Sequence, residues 1–140
     1  MKNNPQYKIL FEIMNHFHDK MEQKLYTKLK GSFEHLTILQ IKACMTIATN
    51  GNITMTNFAK ALSLKTSGAT QLIDKMIELG LVARDYDNTD RRLILISLTP
   101  AMKTEMNKVK KIESQVFEDV FGKLNIDDMQ TLSILIQKLI

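Results

Sequence analysis

The residues best suited to chemistry fall into two clusters. Lys65, Thr66, Ser67, Thr70, Gln71 and Lys75 are polar positions along one segment, and Asp90, Arg91 and Arg92 form the other. Hydroxyls, amides and cations are the groups that hydrogen-bond the phosphates and base edges of a duplex. Gln71 can read an adenine edge, and Thr70 can meet a base or a thymine methyl. Taken one at a time, polar residues at helical spacing are most often a solvated face. Asp74 and Glu78 on the same segment would oppose phosphates if they faced them. Asp90, beside two arginines, reads as shaping a turn and pairing with one guanidinium.

Other reactive residue types lead nowhere together. His16 and His18 diverge by about 200° on a helix and cannot share a metal. Glu12 with His16 has i, i+4 spacing, for which a solvated pair is the common outcome, and His35 lies near a helix start. No metal site is expected. Cys44 is the single cysteine, which excludes a disulfide framework and a Cys-rich zinc module, and its apolar neighbours mark an inert core thiol. Five glycines are too few for a phosphate-cradling loop. Asp127-Asp128 suits a helix dipole, and no nucleophile–base set is visible. The expectation is no enzyme and no cofactor.

The elements that must position the two clusters follow from periodicity. Tyr7, Leu10, Phe11, Met14, Phe17, Met21, Leu25 and Leu29 repeat at helical spacing, closed by Gly31-Ser32. A helix of that length spans roughly 35 Å and needs something beyond its own core to pack on. Thr37 with Gln40 forms a capping box for a second helix, with Leu39, Ala43 and Ile47 inward and Ile41, Met45 and Ala48 widening that face. Asn50-Gly51-Asn52 ends it. Thr54 caps a short third helix, Met55 to about Leu62, with Phe58, Ala59 and Leu62 inward. After Ser63-Leu64-Lys65, a fourth runs over Thr66–Leu79 with Ala69, Leu72, Ile73, Met76 and Ile77 inward, and Gly80 stops it. Two short helices joined by so brief a turn are a helix-turn-helix.

The period then drops from 3.6 to 2. Leu81–Tyr86 and Leu93–Leu98 read as strands joined by the turn-forming Asp87-Asn88-Thr89-Asp90, a hairpin tipped by Asp90, Arg91 and Arg92. Thr99-Pro100 starts a long helix to about Phe121, with Met102, Met106, Val109, Ile112, Val116, Phe117 and Val120 as its stripe. Asn125 starts a last one carrying Met129, Leu132, Leu135, Ile136 and Leu139. The fold class is mainly α with a small β-hairpin wing. A helix-turn-helix followed by such a hairpin is a winged helix, whose second helix fits a major groove about 12 Å wide while the wing reaches the adjacent minor groove.

Composition is compatible with this without demanding it. The 140 residues are 24% charged and 44% hydrophobic, with net charge +4. Residues 1–50 carry seven Lys/Arg against four Asp/Glu, residues 51–99 six against five, and residues 100–140 six against six. No region is a basic tail, so charge permits a polyanionic partner and does not identify one. No stretch is apolar enough to span a membrane, and Met1–Gln6 is polar, so no secretory signal is expected. The chain reads as cytoplasmic.

Thr54-Met55-Thr56-Asn57-Phe58-Ala59, the run from Lys65 through Gly80-Leu81-Val82, Asp90-Arg91-Arg92, and Leu98-Thr99-Pro100 together resemble the MarR family of transcription regulators. The Leu36-Thr37…Gln40 helix start matches too, and the likeness covers nearly the whole chain. Met102 departs from the Gly that many members carry after Leu-Thr-Pro, which costs little inside a helix. The resemblance implies a homodimer that binds pseudo-palindromic operators in double-stranded DNA, acts as a repressor and is released by a small-molecule effector. It puts Arg92 in the minor groove, with Asp90 shaping the wing.

It also implies three regions. Residues 1–35 would be an N-terminal dimerisation helix, 36–99 the winged helix-turn-helix, and 100–140 C-terminal dimerisation helices. The apolar stripes of the terminal helices suit an obligate dimer with recognition helices about 34 Å apart; a larger intramolecular bundle is the other reading. A winged helix can also be a protein-interaction module without specific DNA binding, and the near-neutral 51–99 segment leaves that alternative open.

Overall fold

The computed structural model describes residues 4–140. The polar stretch Met1–Gln6, read above as no secretory signal, therefore lies partly outside the described residues. The chain divides into two compact units: Leu29–Lys110, and the N-terminal part up to Lys28 with Lys111–Ile140. Two long helices, α1 (Pro5–Ser32) and α5 (Pro100–Phe121), each contribute to both. Among the described residues no helix is long and apolar enough to cross a membrane.

Within Leu29–Lys110 the order is α2 (Ile38–Asn50), β1 (Ile53–Thr54), α3 (Met55–Ala61), α4 (Thr66–Glu78), β2 (Val82–Tyr86) and β3 (Ile94–Leu98), before α5. The α2 capping box forms as its residues dictate. Thr37 Oγ1 accepts from the Gln40 amide at 3.2 Å, and the Gln40 side chain accepts from the Thr37 amide at 2.9 Å. That anchored glutamine sets the phase of the helix. Gln40, Ile41, Ala43, Cys44 and Ile47 face inward, whereas Leu39 and Ala48 are exposed and Met45 is half-buried. The expected inward face containing Leu39 and Ala48 is thus corrected by a rotation toward Cys44. Gly51 closes α2 at φ 73°, a conformation that favours glycine.

The sheet has three strands, in the order β1-β3-β2, rather than the expected two. β1 is antiparallel to β3, pairing Ile53 with Ile96, and β3 is antiparallel to β2, pairing Val82 with Leu98 through Tyr86 with Ile94. Ile53 and Ile96 are both buried, so the extra strand shields the edge of the wing next to α2 and α3. Phe33, Leu36, Ile41, Ile47, Phe58, Ile73 and Met76 complete the core of this unit. On α5, Met102, Met106, Val109, Ile112 and Val116 are buried as the stripe requires, but Phe117 is exposed and Val120 half-buried.

In the other unit, Phe121 stacks on Phe117 at 4.2 Å and meets Phe17 edge-on at 5.6 Å. Lys28 Nζ donates to Asp119 Oδ2 at 2.7 Å, and that bond holds the Asp119 carboxyl below its ordinary range. α6 (Ile126–Gln137) is capped by Asn125, whose side chain accepts from the Asp128 amide at 2.8 Å. Tyr7, Leu10, Phe11 and Met14 on α1 and Leu135 and Ile136 on α6 are all exposed, and so is Leu139, which lies past the end of α6 rather than on it.

Candidate nucleic-acid interface

The helix-turn-helix is built from local bonds. Thr54 caps α3 by accepting from the Asn57 amide at 3.2 Å. The Leu64 amide closes the turn on the Ala59 carbonyl at 2.9 Å, and Ser63 takes the left-handed conformation, φ 53°. α4 ends in a Schellman motif, with Gly80 at φ 71° bonding Ile77 and Leu81 bonding Met76. That stop aims the chain directly into β2. At the base of the wing, Thr99 Oγ1 donates to the Gly80 carbonyl at 2.8 Å and accepts from the Met102 amide, so one residue ties that base to the start of α5.

α4 buries Ala69, Ile73 and Met76, with Leu72 half-buried. Ile77, expected inside, is 38% exposed because it lies at the edge of that stripe near the helix end. The opposite face carries the expected polar residues. Lys65 is the N-cap residue and makes no side-chain capping bond, while Thr66, Ser67 and Gln71 are exposed. The first-turn amides, with the positive end of the helix dipole, therefore stay open to anions. Thr70 is half-buried and its hydroxyl donates back to the Thr66 carbonyl at 2.9 Å, which leaves its methyl and a lone pair for a ligand. Lys75 lies a turn further on, its Nζ 3.4 Å from Glu78 Oε2, so its charge is partly compensated.

At the wing tip, Asp87 shapes the turn. Its Oδ1 accepts from the Thr89 hydroxyl, the Thr89 amide at 2.7 Å and the Asp90 amide at 3.1 Å. Those bonds, the Thr89 hydroxyl first, hold its carboxyl below the ordinary value. Asp90 Oδ1 accepts from the Arg92 amide at 3.0 Å and from Arg92 Nε at 3.2 Å. Arg91 and Arg92 both project into solvent, and Lys65, Thr66, Ser67, Thr70, Gln71 and Lys75 share their compact unit. Two further residues belong here. The sequence marks Asp87 only as part of a turn-forming segment. Arg84, on β2, donates to Asp74 Oδ1 on α4 at 2.7 Å, a tertiary pairing that no local pattern announces.

Cys44 is fully buried, and burial pushes its thiol up to about 12, the behaviour of a core residue. His16 and His18 are both exposed on α1.

Residues 36–94 match the model of the MarR family. The multiple antibiotic resistance protein MarR of Salmonella typhimurium is 26% identical over 106 residues, covering 75% of this chain and 74% of that protein. The HTH-type transcriptional regulator YwhA of Bacillus subtilis is 24% identical over 90 residues, covering 64% of this chain and just 65% of its own length. Among solved structures, a multiple antibiotic resistance repressor MarR superposes with a TM-score of 0.80 at 23% identity, covering 94% of each chain. A mutant MarR from E. coli complexed with operator DNA gives 0.68 at 21%, covering 100% of this chain and 99% of that one. These superpositions share the winged-helix fold described above.

Proposed function

We propose that this chain, whose residues 36–94 match the MarR family model, is a regulator of that family, a homodimer that binds a pseudo-palindromic operator in double-stranded DNA. The observation that carries this reading is the outward polar face of α4, open at its N-terminus, in one unit with an arginine-tipped wing. α4 enters the major groove, where Lys65, Thr66, Ser67 and Lys75 meet phosphates and Thr70 and Gln71 meet base edges. Arg92, aimed by Asp90, enters the minor groove, and Arg91 contacts the flanking backbone. A relative of the same fold, the E. coli MarR mutant, is described in complex with operator DNA, which supports the same role here.

Dimerisation rests on α1 and α6, whose large apolar side chains are exposed in the single chain and need a partner. Repression follows from the operator being occupied by a dimer. Release by a small effector fits a cavity of about 310 Å³ whose lining includes Ile47, Leu98 and Met106 together with the polar Lys103, Asn107 and Lys110. Leu98 ends a wing strand, so a ligand there would bear on the wing.

Selection of bound duplexes from a random pool tests the proposal. Enrichment of an inverted repeat is the expected result. Recovery of no duplex at low salt would instead favour a protein-docking winged helix.

A further inference from the structure

Asp74 sits in the middle of the outward face of α4. Ser67, Thr70, Gln71 and Asp74 are related by three, four and seven residues and lie in one row along the helix. A bare carboxylate there would stand one turn from the base-reading positions and repel the phosphates on either side of the groove. The structure does not leave it bare: Arg84 reaches across from β2 and donates to Asp74 Oδ1 at 2.7 Å. The Arg84 side chain is the more enclosed of the two, 34% exposed against 55% for Asp74, so the guanidinium is held and the carboxylate faces solvent. The neighbouring Lys75–Glu78 pair is longer, at 3.4 Å, and more exposed on both sides. An exposed ion pair contributes little to folding, so stability is a poor reason for this one.

We propose that Arg84 is a charge-masking positioning residue, neutralising Asp74 on the face that α4 offers to DNA. This rests on the DNA-binding reading above. The masking idea differs from a simple mechanical tie between α4 and the wing in one consequence. Losing either partner breaks a tie equally, whereas masking makes the two losses unequal. Removing Arg84 exposes a negative charge to phosphates, and removing the Asp74 charge exposes none.

The test is fluorescence anisotropy of a duplex selected by the wild-type protein, at low and high salt. It uses Arg84→Met, Asp74→Asn and the double variant, each checked for folding by circular dichroism. Arg84→Met is expected to weaken binding about tenfold at low salt, with the gap narrowing as salt screens the exposed charge. Asp74→Asn should bind as tightly as wild type or tighter, and the double variant should fall within about threefold of Asp74→Asn. Equal losses from both single variants would overturn masking in favour of a tie. A double variant as weak as Arg84→Met would overturn it in favour of direct contact between Arg84 and DNA. Should Arg84→Met fail to fold, a clear loss in Asp74→Asn still overturns the idea. A wild-type protein that binds no duplex removes the DNA reading and masking together; a wild type that binds while the variants break the pattern removes masking alone.

Discussion

Asp90 Oδ1 accepts two hydrogen bonds from one residue, the Arg92 amide at 3.0 Å and Arg92 Nε at 3.2 Å. A single carboxylate oxygen thereby fixes both the backbone at the wing tip and the direction of the guanidinium. The Arg92 side chain is 91% exposed, and its terminal nitrogens have no partner among the described residues. An arginine held at its Nε, with its far end free, is prepared for a ligand outside the chain.

Arg92→Ala should weaken operator binding by about 1–3 kcal/mol with an unchanged thermal midpoint. Asp90→Ala should lose less, because the guanidinium remains but is no longer aimed. Anisotropy titrations beside thermal melts check both. Unchanged affinity in Arg92→Ala would remove it from the interface.

The wing tip should be acid-sensitive through Asp87. Its folded carboxyl titrates below the ordinary 3.8, so its contribution to the turn is fully present above that value. The contribution is lost as pH falls through the lowered folded value. An NMR titration should show the Asp87 carboxyl inflecting below 3.8, with the Thr89 and Asp90 amide signals moving in step. Asp87→Ala should abolish that behaviour.

Cys44 should resist thiol reagents at pH 8 in the folded protein and react promptly in denaturant. The sign of its pH effect follows from its raised folded value. The unfolded thiol loses its proton near the ordinary 9.0 and the folded thiol near 12, so the stability it contributes declines as pH rises across that window. Rapid labelling of the native protein at pH 8 would contradict the buried-core assignment.

Phe11→Asp, on the exposed apolar side of α1, should leave a monomer where the unaltered chain forms the proposed dimer, and should weaken binding to a two-half-site operator far more than to a single half-site. Sedimentation velocity reads the first effect and anisotropy the second. A variant that stays dimeric would move the interface away from this part of α1.

The helices and the wing were legible because their ends are written in short-range chemistry. Thr37 with Gln40, Thr54, Gly80 and Asn125 each stop or start an element through bonds within four residues. Ile53–Thr54 was not, since two residues cannot display a period of 2 and the strand exists only through its pairing with β3. On α2, Cys44 lies in the core as its apolar neighbours imply, but Leu39 and Ala48 are exposed because Gln40, Ile41 and Cys44 share the buried face with Ala43 and Ile47. At the candidate site, Asp90 with Arg92 could be read because the two lie only two residues apart in sequence. Arg84 with Asp74 could not, because strand alternation puts Arg84 on the face of Val82 without naming a partner, and that partner lies on another element.

The most direct test of the central claim uses the burial of Cys44. Glu78→Cys introduces a single accessible thiol at the end of α4, beside the residues proposed to contact DNA, to which an iron–EDTA group can be attached for cleavage of bound operator. Cuts centred in each half-site, with the strand offset that marks the major groove, are the expected result. Full operator binding by the tethered protein, with no cuts there or with cuts showing the minor-groove offset, would contradict it.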